Sequence, residues 1–492
     1  MQRSWGGRAA LCWALLMALT AGAWPAPTRL RVDPRNPHWF EYGGRAVALF
    51  GSGLWTIIPD QSVDIAEHNR WYAEAGANAN RATLFAFCTT VNDGNGLCPW
   101  PRTGPGQARN GRRKFDLGRW DERFWKRLNE YFADSERRGI FVLLQMFDEP
   151  YTEGGEERWG SNPFNPDNNI NDIPGLPRGA AGNMAYGAEA AFYNPDNAAL
   201  MRYEDALIRR LLDEAATRYG NIIYEIGNEI NLDTETPKQV EWQQHWIAFF
   251  RRYEREHGVQ LLLTNDTRRS LVIAAGDGFQ VINDHGFRLP RGDRVTADAI
   301  LERVTADFAE FRRPIINSRP ASDPDRSDYP DRVTEAQGRL IFWSYFLAGG
   351  HVIGFRTTEE SWKAGRAAER ILIALRSFIN TVDLGRLRPH PELADNHLCL
   401  ADPGKEYVVY LPDGGTAVVD LSAIPQGRSL PVVRYDPRIA AGDIIGSATP
   451  SDSYRLSAPG GQQGRDWVFH IGGPRASGCD RKALVPVRAR AP

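Results

Sequence analysis

From Ala48 to Thr381 short apolar runs alternate with longer stretches of helical period, and that order restricts the fold more than any single motif. Strand-like runs fall at Ala48 to Gly51, Ala79 to Phe87, Ile140 to Phe147, Asn221 to Ile226, Val259 to Thr264, near Phe279 to Asn283, at Pro314 to Asn317 and at His351 to Phe355. Helical patterns fall at Val63 to Ala75, Trp120 to Arg138, Asn197 to Tyr219, Pro237 to His257, Ala297 to Phe311, Glu335 to Leu347 and Ala367 to Thr381. Eight strands, most followed by a helix, predict an α/β fold of the (β/α)8 TIM-barrel type. A doubly wound open sheet is the competitor, and it loses ground because no Gly-x-Gly-x-x-Gly or phosphate loop opens a strand-to-helix turn.

The flanks differ in texture. Met1 to Arg8 carries two arginines and no acid, Ala9 to Ala21 is apolar but too short to span a bilayer, and Ala21-Gly22-Ala23 offers a small-x-small cleavage site. These features predict a secretory signal peptide over residues 1–23 and a soluble, secreted or periplasmic product. Trp39 to Leu49 reads as a hairpin turning on Gly43-Gly44, ahead of a barrel spanning residues 24–384. Past Leu384, Glu406 to Leu411, Thr416 to Leu421, Leu430 to Tyr435 and Trp467 to Ile471 are short strands broken by Gly and Pro, which predicts a β-sandwich over residues 385–492.

Outside the leader four cysteines remain, an even count suited to an oxidising compartment. Chain proximity favours pairing Cys88 with Cys98 and Cys399 with Cys479. A metal site is disfavoured, since there is no Cys-x-x-Cys and no nearby histidine pair. With 59 basic and 61 acidic residues the chain is nearly neutral, which argues against a nucleic-acid partner, and no stretch after the leader is long and apolar enough for a membrane span. Two connections, Cys88 to Leu117 and Asp148 to Asp196, are far longer than ordinary barrel loops and follow the C-terminal ends of strands two and three, where they are expected to wall a cleft. Asp167-Asn168-Asn169-Ile170-Asn171-Asp172 carries oxygen ligands of the kind calcium uses, although such clusters are commoner as plain turns.

Strand four ends in Gly227-Asn228-Glu229, on the face where barrels of this kind keep their sites. A glutamic acid there can protonate a leaving glycosidic oxygen, and the neighbouring amide can bond a sugar 2-hydroxyl. Asn80-Arg81 in strand two, Gly227-Asn228-Glu229 and Trp362 just past strand eight together resemble the clan A glycoside hydrolases. Asn36-Pro37-His38-Trp39-Phe40 and Gly51-Ser52-Gly53-Leu54-Trp55 look like the opening of the bacterial apiosidase-like group. Glu406 to Gly415 and Val433 to Arg438 look like the β-domain that often follows such barrels, a domain labelled collagen-binding.

The resemblance implies a carbohydrate substrate, no cofactor and a retaining mechanism, with Glu229 as acid/base and a second carboxylate about 5–5.5 Å away as nucleophile. Here the chain departs from the pattern: Asn317-Ser318-Arg319-Pro320 puts Arg319 where the strand-seven glutamate is expected, and a guanidinium cannot attack an anomeric carbon. Asp284 is the best-placed substitute, with Glu359 or Glu360 next; inversion through a more distant carboxylate is the alternative. Arg81, Asp148, His285, Trp55, Trp362, Arg319 and Glu360 are the supporting candidates for holding sugar, beside Asn228. The rival expectation is a catalytically silent glycan- or matrix-binding protein on the same scaffold.

Overall fold

The structure, a computed structural model, describes residues 27–180, 191–230, 236–266, 275–284, 296–319, 321–322, 333–356, 366–460 and 464–472. The leader, His285, Glu359, Glu360, Trp362 and Cys479 therefore lie outside the described residues. Eight parallel strands form the barrel, β1 (Phe50–Gly53), β2 (Ala79–Thr83), β3 (Phe141–Asp148), β4 (Ile222–Asn228), β5 (Leu262–Thr264), β6 (Ile282–Asn283), β7 (Ile315–Asn317) and β8 (His351–Arg356), and a two-residue strand, Ala321–Ser322, pairs parallel to β8 in the same sheet. Their order is β5-β4-β3-β2-β1-β8-β7-β6, and a parallel bridge from Asp266 to Asn283 brings the two ends together, so the sheet curls into the expected barrel.

The helices around it are α1 (Ile65–Glu74), α2 (Glu122–Arg137), α3 (Ala198–Ala215), α4 (Pro237–His257), α5 (Ala297–Phe311), α6 (Glu335–Leu347) and α7 (Arg366–Ile379). Local chemistry sets where they begin. Asp64, Asp121, Asn197 and Thr296 accept first-turn backbone N–H groups, while Thr236 with Gln239 and Thr334 with Gln337 form reciprocal capping boxes. Gly258 ends α4 in the left-handed conformation, φ 64°, a geometry that costs glycine nothing.

Below the barrel, Phe40–Tyr42 and Arg45–Val47 pair across Gly43-Gly44, whose φ values of 60° and 79° suit a two-residue hairpin turn. Phe40 of this small sheet and Leu30, just ahead of it in the chain, pack with Leu143, Ile223, Ile316 and Ile353 inside the barrel and floor it with apolar side chains. His351, which opens β8, is buried there. Leu49 N–H donates to His351 Nδ1 at 3.0 Å and Nε2 faces the His38 carbonyl at 2.9 Å, so the ring is the neutral Nε2–H tautomer, and burial pushes its pKa down to about 3.

Beyond the barrel lies a six-stranded antiparallel sheet in the order β9-β10-β11-β16-β13-β14: β9 (Arg388–Pro389), β10 (Cys399–Asp402), β11 (Glu406–Leu411), β13 (Leu430–Asp436), β14 (Ala441–Ala448) and β16 (Trp467–Gly472). A two-stranded sheet of β12 (Thr416–Val419) and β15 (Tyr454–Ser457) covers one face, enclosing Tyr407, Val409, Val419, Leu456 and Phe469. The alternate residues, Leu400, Val408, Tyr410 and Val468, pack on the other side against helix residues of the barrel, which is why β11 is buried along its whole length. At that seam Arg339 of α6 makes a bidentate pair with Asp466 (2.8 and 3.0 Å), and the Tyr435 hydroxyl donates to the Ala374 carbonyl at 2.7 Å. The β-domain is therefore seated on α6 and α7 by its second apolar face.

Cys88 and Cys98 are joined by a disulfide. Cys399 is a buried free thiol, whereas the partner expected for it, Cys479, is outside the described residues. The asparagine-rich loop stiffens itself. Asn165 Nδ2 donates to the Trp159 and Gly179 carbonyls, Asn168 Nδ2 to those of Gly160 and Asn162, and Asn169 Nδ2 to those of Pro163 and Asn165. Asp167 meanwhile pairs with Arg178. These side chains act as turn braces, the commoner of the two expectations for this cluster.

Candidate active site

Above the apolar floor, residues two further along the same strands still point inward but are polar. Ala79, Leu143 and Ile223 give way to Arg81, Gln145 and Glu225, following the period of two along a strand. Arg81 and Glu225 are both completely buried, so each requires a partner. Arg81 Nε donates to Glu225 Oε2 at 2.9 Å and Nη2 to Oε1 at 2.5 Å, while Asn283 Nδ2 of β6 donates to Oε1 at 3.2 Å. Burial works against the Arg81 charge, but the attraction and hydrogen bonds of Glu225 outweigh it, so its pKa lies above the ordinary value. The guanidinium also lies 5.6 Å from the Trp55 ring, which follows β1 at the mouth of the barrel.

The same guanidinium reaches the rim. Arg81 Nη2 donates to Asn228 Oδ1 at 2.8 Å, and Asn228 Nδ2 donates to Asp148 Oδ1 at 2.7 Å, so the amide is oriented from both ends by residues of β2 and β3. One N–H and one lone pair of that amide remain beyond these two bonds. Next in the chain, Glu229 holds φ at 57°, a left-handed backbone that side chains with a Cβ rarely adopt. Two residues just past β5 support the turn: Asn265 Oδ1 accepts from Gly227 N–H at 2.8 Å, and Asp266 Oδ2 accepts from Glu229 N–H at 2.8 Å. A Cβ on Gly227 would lie 2.2 Å from Ile230 Cδ1, so a larger residue there would have to displace that side chain. Left-handed residues away from glycine cost on the order of 1 kcal/mol and collect at functional sites.

Arg319, just past β7, donates from Nη1 to Glu229 Oε1. Its backbone N–H is held by Asn317 Oδ1 at 2.9 Å, and Asn317 Nδ2 is in turn bonded to the Tyr345 hydroxyl of α6 at 2.6 Å. Glu229 and Arg319 side chains are 14% and 23% exposed, whereas Arg81 and Glu225 beneath them are inaccessible, so the upper pair is the part of the cluster that a ligand can touch. Two further acids flank Glu229. Burial raises Asp148 to about 7, with the Glu229 charge adding to the rise and the Asn228 hydrogen bond opposing it. Burial and the Glu225 charge likewise push Asp266 well above the ordinary carboxylate range. Asp148 Oδ2 is buried without a well-aligned hydrogen-bond partner, although Gln145 lies beside the carboxyl group.

Six sequence candidates thus meet at one end of the barrel: Trp55, Arg81, Asp148, Asn228, Glu229 and Arg319. Asp284 does not join them, which corrects the expectation that it is the second catalytic carboxylate. Its oxygens are taken by Arg303 of α5, at 3.0 and 3.3 Å, and strand parity explains why. Asn283 points inward to Glu225, while Ile282 packs among the helices, and Asp284 shares the side of Ile282. His285, Trp362, Glu359 and Glu360 fall outside the described residues. Sequence reading passed over Glu225 and Asp266. An acid inside an apolar strand, as in Tyr224-Glu225-Ile226, demands a buried cation, and Asn265-Asp266 closes strand five much as Asn228-Glu229 closes strand four. Among the described residues no three His, Cys, Asp or Glu side chains converge to hold a metal ion.

Residues 97–273, which include the ends of β3 to β5, match the family model of a domain of unknown function, DUF6298. No curated protein matches the chain in sequence. Among solved structures, one described as a glycoside hydrolase has a TM-score of 0.61 and 13% identity, covering 92% of this chain and 98% of its own. A glycoside hydrolase family 5 protein from Bacteroides vulgatus has a TM-score of 0.62 and 15% identity, covering 90% and 93%. The chain accordingly has the barrel-plus-β-domain fold of these glycoside hydrolases, a likeness of fold at these identities.

Proposed function

We propose that the chain is an exported glycoside hydrolase that cleaves a glycosidic bond in a poly- or oligosaccharide, with Glu229 as general acid/base. The observation that carries this is the Glu229 backbone, held left-handed by Asp266 at the barrel rim beside an Asn228 amide that Arg81 and Asp148 orient. In its protonated form Glu229 gives its proton to the leaving glycosidic oxygen as the anomeric C–O bond breaks, and the spare Asn228 N–H or lone pair bonds a sugar hydroxyl. With Arg319 in the nucleophile's place, water rather than a carboxylate is the attacking group in this reading. Its hydroxyl joins the anomeric carbon and its proton passes to a second carboxylate at the barrel mouth. The N-terminal leader pattern and the Cys88–Cys98 disulfide support export.

A second reading, a silent glycan-binding protein, is favoured by one observation: the Arg319 guanidinium already holds the Glu229 oxygen that would face the leaving group. Wild type and Glu229→Gln, assayed on a panel of polysaccharides and aryl glycosides, separate the two. The hydrolase reading expects turnover to fall by about 10²–10⁴-fold in the variant while glycan binding persists. Turnover undetectable in the wild type, alongside glycan binding equal in both proteins, would establish the silent reading. For the active enzyme, the anomer first released, followed by NMR, distinguishes inversion from retention.

A further inference from the structure

The connection from β2 to α2 carries a local excess of positive charge on a nearly neutral chain. Between Leu97 and Arg119 stand six cations, Arg102, Arg109, Arg112, Arg113, Lys114 and Arg119, against one acid, Asp116. Much of this stretch folds into a hairpin. Gly104 N–H donates to the Lys114 carbonyl at 3.0 Å, Ala108 N–H donates to the Arg112 carbonyl at 2.7 Å, and Gln107 bridges Arg113 in the antiparallel sense. The tip is fastened to the β3–α3 connection: Arg109 pairs with Glu156 at 2.5 Å, and its backbone N–H donates to Asn168 Oδ1 at 3.0 Å. Arg102 and Arg113 are met instead by neutral groups. Arg113 donates to the Thr103 and Gly104 carbonyls at 2.8 and 3.3 Å, while Arg102 donates to the Arg113 carbonyl at 3.1 Å and lies 4.0 Å over the Phe115 ring.

Cations held this close repel one another. Burial lowers the Arg102 pKa to about 10, with Tyr151 opposing the fall and the Arg112 charge adding to it. An anion laid across the hairpin would offset that repulsion, and guanidinium forks suit carboxylate and sulfate groups. We propose that residues 102–114 form a docking strip for an acidic polysaccharide, whose carboxylates or sulfates meet Arg102, Arg113 and Lys114 while another sugar of the same chain lies at the barrel mouth. This rests on the carbohydrate reading of the rim and adds the substrate class. The strip follows the C-terminal end of β2, the same end of the barrel as Asn228 and Glu229, so an extended glycan can reach both. Residues 102–114 contain no aromatic side chain, the group on which single-stranded nucleic-acid binders stack bases. The fastened tip and the Cys88–Cys98 disulfide near the base hold the donors in place before a ligand arrives, which limits the ordering cost of binding.

The experiment titrates the wild type with polygalacturonate, its carboxyl-reduced form, dextran sulfate, neutral dextran and single-stranded DNA at several salt concentrations. Beside it stand the double variant Arg113→Gln with Lys114→Gln and a charge-matched control, Lys126→Gln with Arg252→Gln, at exposed positions on α2 and α4. The expected result is binding to an acidic polysaccharide about tenfold or more tighter than to its uncharged form, weakening as salt rises. The two matched pairs tell carboxylate from sulfate recognition. The hairpin variant is expected to lose most of that preference and the control to keep it. In the wild type, the bound polysaccharide is expected to slow tryptic cleavage after Arg112, Arg113 and Lys114 relative to sites elsewhere in the chain, a readout that needs no variant to fold. Equal binding to charged and uncharged forms, no binding, a loss in the control as large as in the hairpin variant, absence of selective protection, or DNA bound as tightly as the polysaccharides overturns the proposal. Hydrolysis of a neutral glycan that is lost in Glu229→Gln, with no preference for acidic glycans, would refute this inference and leave the hydrolase reading standing. Hairpin-dependent binding of an acidic polysaccharide by a wild type without turnover would support it and end the hydrolase reading.

Discussion

Replacing Asp148 with asparagine tests the electrostatics of the rim without touching its shape. The amide oxygen of the new side chain would still accept the Asn228 N–H, but the position would no longer titrate. In the wild type, burial raises Asp148 from the ordinary 3.8 to about 7, so the folded state binds this proton more tightly than the unfolded chain does. A raised carboxyl contributes stability that is complete below the unfolded value and is lost as pH climbs through the folded one. Here the loss runs from about pH 4 to about pH 7 and amounts to roughly 4 kcal/mol, at about 1.4 kcal/mol per tenfold change in proton affinity. Asp148→Asn should therefore match the wild type near pH 4 and exceed it by several kcal/mol at about pH 8. Urea unfolding of both proteins across that range measures the difference. Because the Glu229 charge contributes to the rise, adding Glu229→Gln should make the wild-type loss smaller and complete it at lower pH. A stability difference that stays flat with pH, or that grows toward acid, would show that Asp148 is not the buried, proton-holding group described.

The Arg81–Glu225 pair is completely buried, and Arg81→Met, which strands the carboxylate, should cost about 3–5 kcal/mol in the same unfolding assay; adding Glu225→Leu should restore most of it. At the domain seam, Arg339→Met takes the bidentate cation from buried Asp466 and leaves it the Tyr410 hydroxyl at 3.3 Å, so it should cost about 3 kcal/mol and speed limited proteolysis between the barrel and the β-domain; unchanged proteolysis would refute the seam described. Removing the Cys88–Cys98 link with paired serines opens a loop of sequence separation 10, for which loop-closure entropy gives about 2–3 kcal/mol, and should expose residues 88–117 to protease while the barrel's far-ultraviolet circular dichroism stays unchanged.

Periodicity carried the fold because helices and strands place their side chains at different, countable intervals. The predicted helices at Pro237 to His257, Ala297 to Phe311 and Glu335 to Leu347 are the observed α4, α5 and α6, each opened by a threonine cap. The eight strand-like runs likewise each contain part of an observed strand. Asp284 failed for a reason local to its strand. In β6 only Ile282 and Asn283 are paired, too short a run for alternation to reveal which side the next residue takes. The double burial of β11 was hidden as well, because Glu406 and Tyr407 at its start read as a half-solvated strand until helices α6 and α7 supply an apolar surface for the outer face.

The barrel, its β-domain and the position of Asn228-Glu229 at a strand's C-terminal end follow from intervals within the chain, since each depends on neighbours a few residues away. The meeting of Arg319 with Glu229, ninety positions apart, depends on the closure of the sheet and on how far each loop carries its side chain past the rim. So does the division of acids into those buried with a cation, those holding backbone and those facing the mouth. A local pattern has no access to such distances, and only the folded barrel sets them.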